Sequence, residues 1–301
     1  MLGTLKSLIA GKRSVALPDG ERRPQAKAEY ESGWQSIERM ARGFAGEGGN
    51  LARVLSMLDR AAPPDANQEL LQQFGFRVFG RRMKAPLDNR YEGALFRLIL
   101  QNEILHKIEP DTANIIELGS GYGRNLFRIW LNGGPAKASY LGFEYTEAGR
   151  RCSDFLASLE PNIPYRAVPF DYHNPSIEGF DRQAKTFVLT SYSIEQIPLI
   201  RQDVFDRILA IPGFYRAVHI EPVGWQRTLP KDLDREERTL LRDMEQSARA
   251  LHYNTNLLQI LEKMERAGRI VIDERKYDFL AHRPNLPGSV IAWRPPGDRS
   301  A

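Results

Sequence analysis

An intramolecular disulfide is excluded from this chain, because Cys152 is the only cysteine in 301 residues. One cysteine also cannot build a cysteine-based zinc cage, and a reducing, cytoplasmic setting is the expectation. Long apolar runs are missing too. The stretch from Met1 to Arg13 holds too short a run for a secretory signal, and nothing reaches the length that spans a bilayer, so no targeting or membrane segment is expected. There is no long run of one charge: 42 basic and 38 acidic residues, for a net charge of +4, are spread along the chain, which is weak support for a nucleic-acid partner. Internal repeats and low-complexity segments are absent as well. What is present is 42% hydrophobic and 27% charged residues, enough to bury a large core in one big domain or one plus a subdomain.

The first third reads as mostly helical. Trp34, Ile37 and Ala41, then Leu51, Val54, Leu55 and Leu58, recur at helical spacing. The run Ala61-Ala-Pro-Pro-Asp65 is a breaker, and Gln68 to Phe74 with the basic stretch Arg77 to Lys84 leads into a helix expected from about Arg90 to His106. At Asn114 the texture changes. Strand-length apolar runs at Ile115–Leu118, Tyr140–Glu144, Tyr165–Val168, Thr186–Thr190 and Ala217–Glu221 alternate with helical spacing at Asn125–Asn132, Glu147–Leu159 and Arg201–Ala210. That alternation predicts βαβ units and a parallel sheet. A charged insert, Lys231 to Arg249, precedes a helix expected at about Thr255 to Ala267. Arg269–Phe279 and Ser289–Trp293 then read as an antiparallel pair.

The predicted division is a helical region over 1–112, placed as a lid on the acceptor side, and a main domain over 113–297 with an insert at about 223–253. The fold class is α/β: a Rossmann-like, seven-stranded, mostly parallel sheet with an antiparallel C-terminal hairpin and a helical N-terminal extension.

The chemistry centres on Ile115-Ile-Glu-Leu-Gly-Ser-Gly-Tyr-Gly-Arg-Asn125, where a strand should end and a helix begin. Glycines 119, 121 and 123 let backbone approach a ligand closely, and the N–H groups of the following helix suit an anionic group. A dinucleotide fingerprint would place its third glycine at 124, which is Arg124. The pattern Glu117-x-Gly-x-Gly-x-Gly123 instead resembles motif I of the class I S-adenosylmethionine-dependent methyltransferases. Glu144, closing the next strand, stands where such a fold hydrogen-bonds a ribose diol.

The resemblance covers roughly residues 114 to 295 and implies S-adenosyl-L-methionine as cofactor. It implies that Glu117, Gly119, Ser120, Gly121, Tyr122, Gly123, Asn125, Glu144, Asp171, Tyr172 and Ser191 surround that cofactor, Glu117 lying near its amino group and Asp171 meeting the adenine. Bland readings stand beside these: Glu144 as a solvated carboxylate, Asp171 as a turn residue, Asn125 as a helix cap.

Methyl transfer needs alignment more than a catalytic side chain, so the sequence identifies a cofactor better than an acceptor. His219, Glu221 and Glu195 are the candidate catalytic groups, with His173 also near the expected rim; a buried, satisfied His219 is an equal alternative. No ligand cluster stands out among Asp171, His173, Glu195, His219 and Glu221, and no metal is expected. Tyr192, Gln196, Trp225, Tyr253 and Asn254 are candidates to bind an acceptor, with Trp225 as core and Asn254 or Thr255 as a helix cap the alternatives.

The preferred expectation is methylation of a small polar molecule, such as a sugar hydroxyl, with no membrane and no nucleic-acid partner. Methylation of a protein or peptide side chain is the second reading. RNA binding or modification through Arg77, Arg81, Arg82, Lys84 and Arg90 is the third, lowered because Ser191-Tyr-Ser-Ile-Glu195 replaces an Asn-Pro-Pro-Tyr-like signature. The four charges Arg235 to Arg238 read as a solvated helix face.

Overall fold

A computed structural model of the chain describes residues 19–61, 76–78, 81–83, 98–228, 235–281 and 287–297. Strand β3 (Asn114–Leu118) leads through the glycine loop into α3 (Arg124–Leu131), β4 (Ser139–Glu144), α4 (Glu147–Ser158) and β5 (Tyr165–Pro169). The chain continues through β6 (Thr186–Ser191), α5 (Asp203–Leu209) and β7 (Phe214–Glu221), then α6 (Arg235–Ala250), α7 (Leu257–Arg266), β8 (Val271–Ala281) and β9 (Gly288–Arg294). Before them stand α1 (Asp19–Gly46), α2 (Leu51–Ala61), a helical stretch at 98–105, and two short strands, β1 (Phe76–Val78) and β2 (Arg81–Met83).

The sheet runs β2-β1-β8-β9-β7-β6-β3-β4-β5. Its seven main strands are parallel from β5 to β7, and β9 enters antiparallel between β7 and β8. This is the expected Rossmann-like sheet with its antiparallel C-terminal pair. The difference lies at the edge. The N-terminal third, read as helical, also supplies the β1–β2 hairpin, and β1 pairs antiparallel with β8, so the sheet has nine strands. A three-residue strand whose partner lies some 200 positions away carries no local periodicity to read. The predicted helix from Arg90 is described only from residue 98, and the basic patch lies outside the residues whose side chains are described.

Strands β3, β4, β6, β7 and β9 are almost wholly buried, which is why they read as unbroken apolar runs. Alternate residues feed two cores. Ile115, Tyr140, Phe187, Val218 and Val290 face α1, α2, α3 and α4, whereas Ile116, Leu141, Val188, Ala217 and Ile291 face α5 and α7. The seven residues of helical spacing from Trp34 to Leu58 are all buried in the first core. The insert is less solvated than its charge suggests: Leu241, Met244 and Ala248 of α6 close over Trp225 and Tyr253 in a third, smaller cluster. Among the described residues no helix is long and apolar enough to cross a membrane.

Candidate functional site

The carboxyl ends of β3, β4, β6 and β7 lie side by side, and the loop after β3 turns on three glycines. Its glycines have left-handed φ of 73° at Gly119, 57° at Gly121 and 76° at Gly123, a conformation that costs a side-chain-bearing residue dearly. Gly119 N and Ser120 N both donate to the Phe143 carbonyl at 2.7 and 3.1 Å, anchoring the loop to β4.

Glu117 sits beneath this loop, 1% exposed. Its Oε1 accepts from Asn125 Nδ2 at 2.6 Å, while its Oε2 is buried with no protein donor. Burial is the main reason its carboxyl is pushed up to about 8; the Asn125 hydrogen bond opposes that, and the charges of Glu144 and Glu221 add to it. Ser120 Oγ is likewise buried without a partner. Asn125 therefore serves Glu117 rather than capping α3, whose N-cap is Gly123.

Glu144 is also buried, and burial raises its pKa against several hydrogen bonds that lower it. Its Oε2 accepts from Gly121 N at 2.8 Å; its Oε1 accepts from Thr146 N at 2.9 Å and Thr146 Oγ1 at 2.6 Å. It braces the loop against α4, so it is not a merely solvated carboxylate, and Oε2, with a single donor, keeps a lone pair for a ligand hydroxyl.

Across the loop, Tyr172 donates its hydroxyl to the Leu118 carbonyl at 2.9 Å, and Ser193 Oγ reaches the same carbonyl at 2.9 Å. Asp171 forms a turn, its Oδ1 accepting from His173 N at 2.9 Å. Ser191 closes β6, buried, followed by Tyr192 in a left-handed conformation (φ 52°). A strained aromatic residue at a central strand end is a place where function commonly collects. Tyr122 is buried under Trp34 of α1, ring centroids 5.4 Å apart. The structure thus gathers Glu117, the loop from Gly119 to Gly123, Glu144, Tyr172 and Ser191 along one edge of the sheet.

The three candidate catalytic groups all have protein partners. His219 is fully buried between strands: Trp293 Nε1 donates to its Nε2 at 2.8 Å, so the neutral ring carries its proton on Nδ1, 3.0 Å from Thr190 Oγ1. Both ring nitrogens are satisfied, and burial lowers its pKa to about 3. This is the buried, satisfied arrangement that stood as the alternative for His219. Glu221 holds the turn after β6, its Oε1 accepting from Ser193 N and Ile194 N and its Oε2 from Glu195 N, each at 3.1 Å. Glu195 is buried and accepts from Gln196 Nε2 at 2.8 Å.

Among the acceptor candidates, Asn254 is committed to structure: its Oδ1 accepts from Asn256 N and Leu257 N, and its Nδ2 donates to the Ile197 carbonyl. Trp225 and Tyr253 belong to the small core under α6. Gln196 and Tyr192 remain at the rim, half-buried.

Sequence reasoning missed Asp278. It lies in an irregular stretch of β8 between Lys276 and Leu280, in a left-handed conformation (φ 49°), 4% exposed. Its Oδ2 meets Arg227 Nη1 at 2.5 Å, its N–H donates to Ser289 Oγ at 3.0 Å, and its Oδ1 is buried without a partner. An acidic residue inside a predicted strand is the only signal the sequence offered.

No protein-family model and no curated protein matches the chain. Solved structures do resemble it. A magnesium protoporphyrin IX methyltransferase from Synechocystis PCC 6803 with bound SAH is 9% identical, covering 71% of this chain and 90% of its own at a TM-score of 0.48. A geranyl diphosphate methyltransferase in complex with GPP and sinefungin is 9% identical over 69% and 80%, at 0.46. A SAM dependent methyltransferase from Aquifex aeolicus is 10% identical over 64% and 89%, at 0.42. These likenesses are distant.

Proposed function

We propose that this chain is an S-adenosylmethionine-dependent methyltransferase acting on a small polar acceptor. The observation that carries the reading is the buried, unpartnered Oε2 of Glu117 under a glycine loop. A carboxyl raised to about 8 by burial is matched by a cationic amine brought to the same place, which would restore its charge. Glu144, one residue from the loop's hydrogen bonds, suits the hydroxyls of a ribose, and Asp171 with Tyr172 borders the adjoining strand end. Bound there, S-adenosylmethionine supplies a methyl group made electrophilic by its sulfonium.

The chain's own part is to hold acceptor and cofactor in line and to keep water out, which accounts for a large share of the rate in such a displacement. Proton abstraction by His219 or Glu221 is no part of the proposal, because both are spent on structure. Tyr192 and Gln196 at the rim of β6 are the residues proposed to face the acceptor.

The test is calorimetric titration of S-adenosylhomocysteine at pH 7 in two buffers of different ionisation enthalpy. Binding by the wild type should release close to one proton from Glu117, and Glu117→Gln should bind without that release. Absence of binding contradicts the assignment, and binding with no proton release in the wild type contradicts a neutral Glu117 carboxyl.

A further inference from the structure

Helix α1 is built onto the same loop. It lies along α4, with Lys27 Nζ 4.6 Å over the Tyr145 ring at one end and the Arg42 guanidinium 4.2 Å over Phe155 at the other. Between them, Glu31 performs a task usually left to a local side chain. The N-cap of α4, Thr146, takes only Gly149 N, at 3.2 Å. The N–H groups of Glu147 and Ala148 donate instead to Glu31 Oε2 and Oε1, at 3.1 and 2.8 Å. This places a carboxylate on the positive end of α4, three and four residues beyond Glu144.

One turn further along α1, Trp34 lies on the glycine loop. A Cβ at Gly121 would come within 2.9 Å of Trp34 Cζ2, and the indole also meets Tyr122. Gly121 and Tyr122 are buried beneath α1, and Glu144 is buried beside them.

From these contacts we infer that α1 is a strap over the cofactor site, with Trp34 as the side chain that packs on the loop beside the ligand and Glu31 as the latch that positions it. The inference rests on the methyltransferase reading. A ligand held by residues 119–123 and Glu144 has α1 as one wall, so it enters and leaves when the Glu31 bonds open. Glu31 is a positioning residue that touches α4, and Trp34 is the contact.

Release of S-adenosylhomocysteine by the full-length chain, followed by stopped-flow fluorescence, tests this, together with amide exchange across α1. Glu31→Gln keeps an acceptor oxygen and Trp34→Phe keeps an aromatic ring, so both should fold. Release should quicken by about tenfold in each, the scale of losing a charged helix cap or a close aromatic wall. Exchange in α1 should slow when the wild type is loaded. If the wild type binds the ligand, yet both variants release it within about twofold of the wild-type rate and α1 exchange is unchanged, the strap is overturned and the cofactor reading stands. If the wild type binds nothing, both fall.

Discussion

At the scale of the residue, two buried titratable groups give opposite pH signatures. The imidazole of an unfolded chain protonates near pH 6.5, whereas folded His219 resists until about 3. Between those values the unfolded chain binds the extra proton, so stability falls as pH falls, by about 1.4 kcal/mol per unit while the gap is open. Urea unfolding at pH 7 and pH 5 should show this loss in the wild type and a smaller one in His219→Gln, whose pH-independent cost comes from the Trp293 bond.

Glu117 runs the other way. Its carboxyl ionises near 4.5 when unfolded and near 8 when folded. Its contribution is whole below 4.5 and is lost as pH rises through 8. Glu117→Gln should therefore gain stability relative to the wild type between pH 5 and pH 8.5 in the ligand-free chain; a constant difference across that range would show the carboxyl is not held neutral. Gly142 on β4 offers a steric test. A Cβ there would collide with the Tyr165 hydroxyl and lie 2.8 Å from Ser120 Oγ, so Gly142→Ala should cost about 2 kcal/mol in chemical denaturation by overpacking.

At the scale of the element, the helices are tied to the loop by charge as well as by apolar packing. Asp59 of α2 meets Arg124 Nη2 at 2.9 Å and also pairs with Arg128, both on α3, the helix that the glycine loop opens. All three side chains are largely buried, and burial lowers the Arg128 pKa. Removing the shared carboxylate leaves two cations with poor solvation, so Asp59→Ala should lose about 2 kcal/mol, more than an exposed pair would give. Asp278 makes the matching case at the far end of the sheet, where its pairing with Arg227 fixes the turn after β7 over a left-handed backbone. Neither link has a sequence signature: an aspartate on a helix or in a strand looks like a solvated charge until the fold sets a guanidinium beside it.

At the scale of the whole molecule, a ligand that binds only the folded chain must stabilise it by mass action. At a hundred times its dissociation constant the gain is about 2.7 kcal/mol. For a chain of this size the melting temperature should rise by roughly 5 °C with S-adenosylhomocysteine and not with NAD. A rise with NAD alone would point to a dinucleotide site and against the glycine spacing.

Sequence by itself determined the order of strands and helices after Asn114, the position of the glycine loop and the carboxylates at 117 and 144. These are local: a parallel strand buried on both faces reads as an apolar run, and a turn with left-handed backbone at alternate positions strongly favours glycine. Only the tertiary structure decided which polar groups were spent and which were spare. His219, Glu221 and Asn254 looked available and are consumed by Trp293, by the 193–195 turn and by the start of α7; Glu117 and Asp278 each keep an unpartnered oxygen. The docking of Trp34 on the glycine loop and of Glu31 on the start of α4, and the pairing of β1 with β8, belong to the same class. Hydrogen-bond satisfaction and burial depend on neighbours distant along the chain, and no spacing within a segment records who those neighbours are.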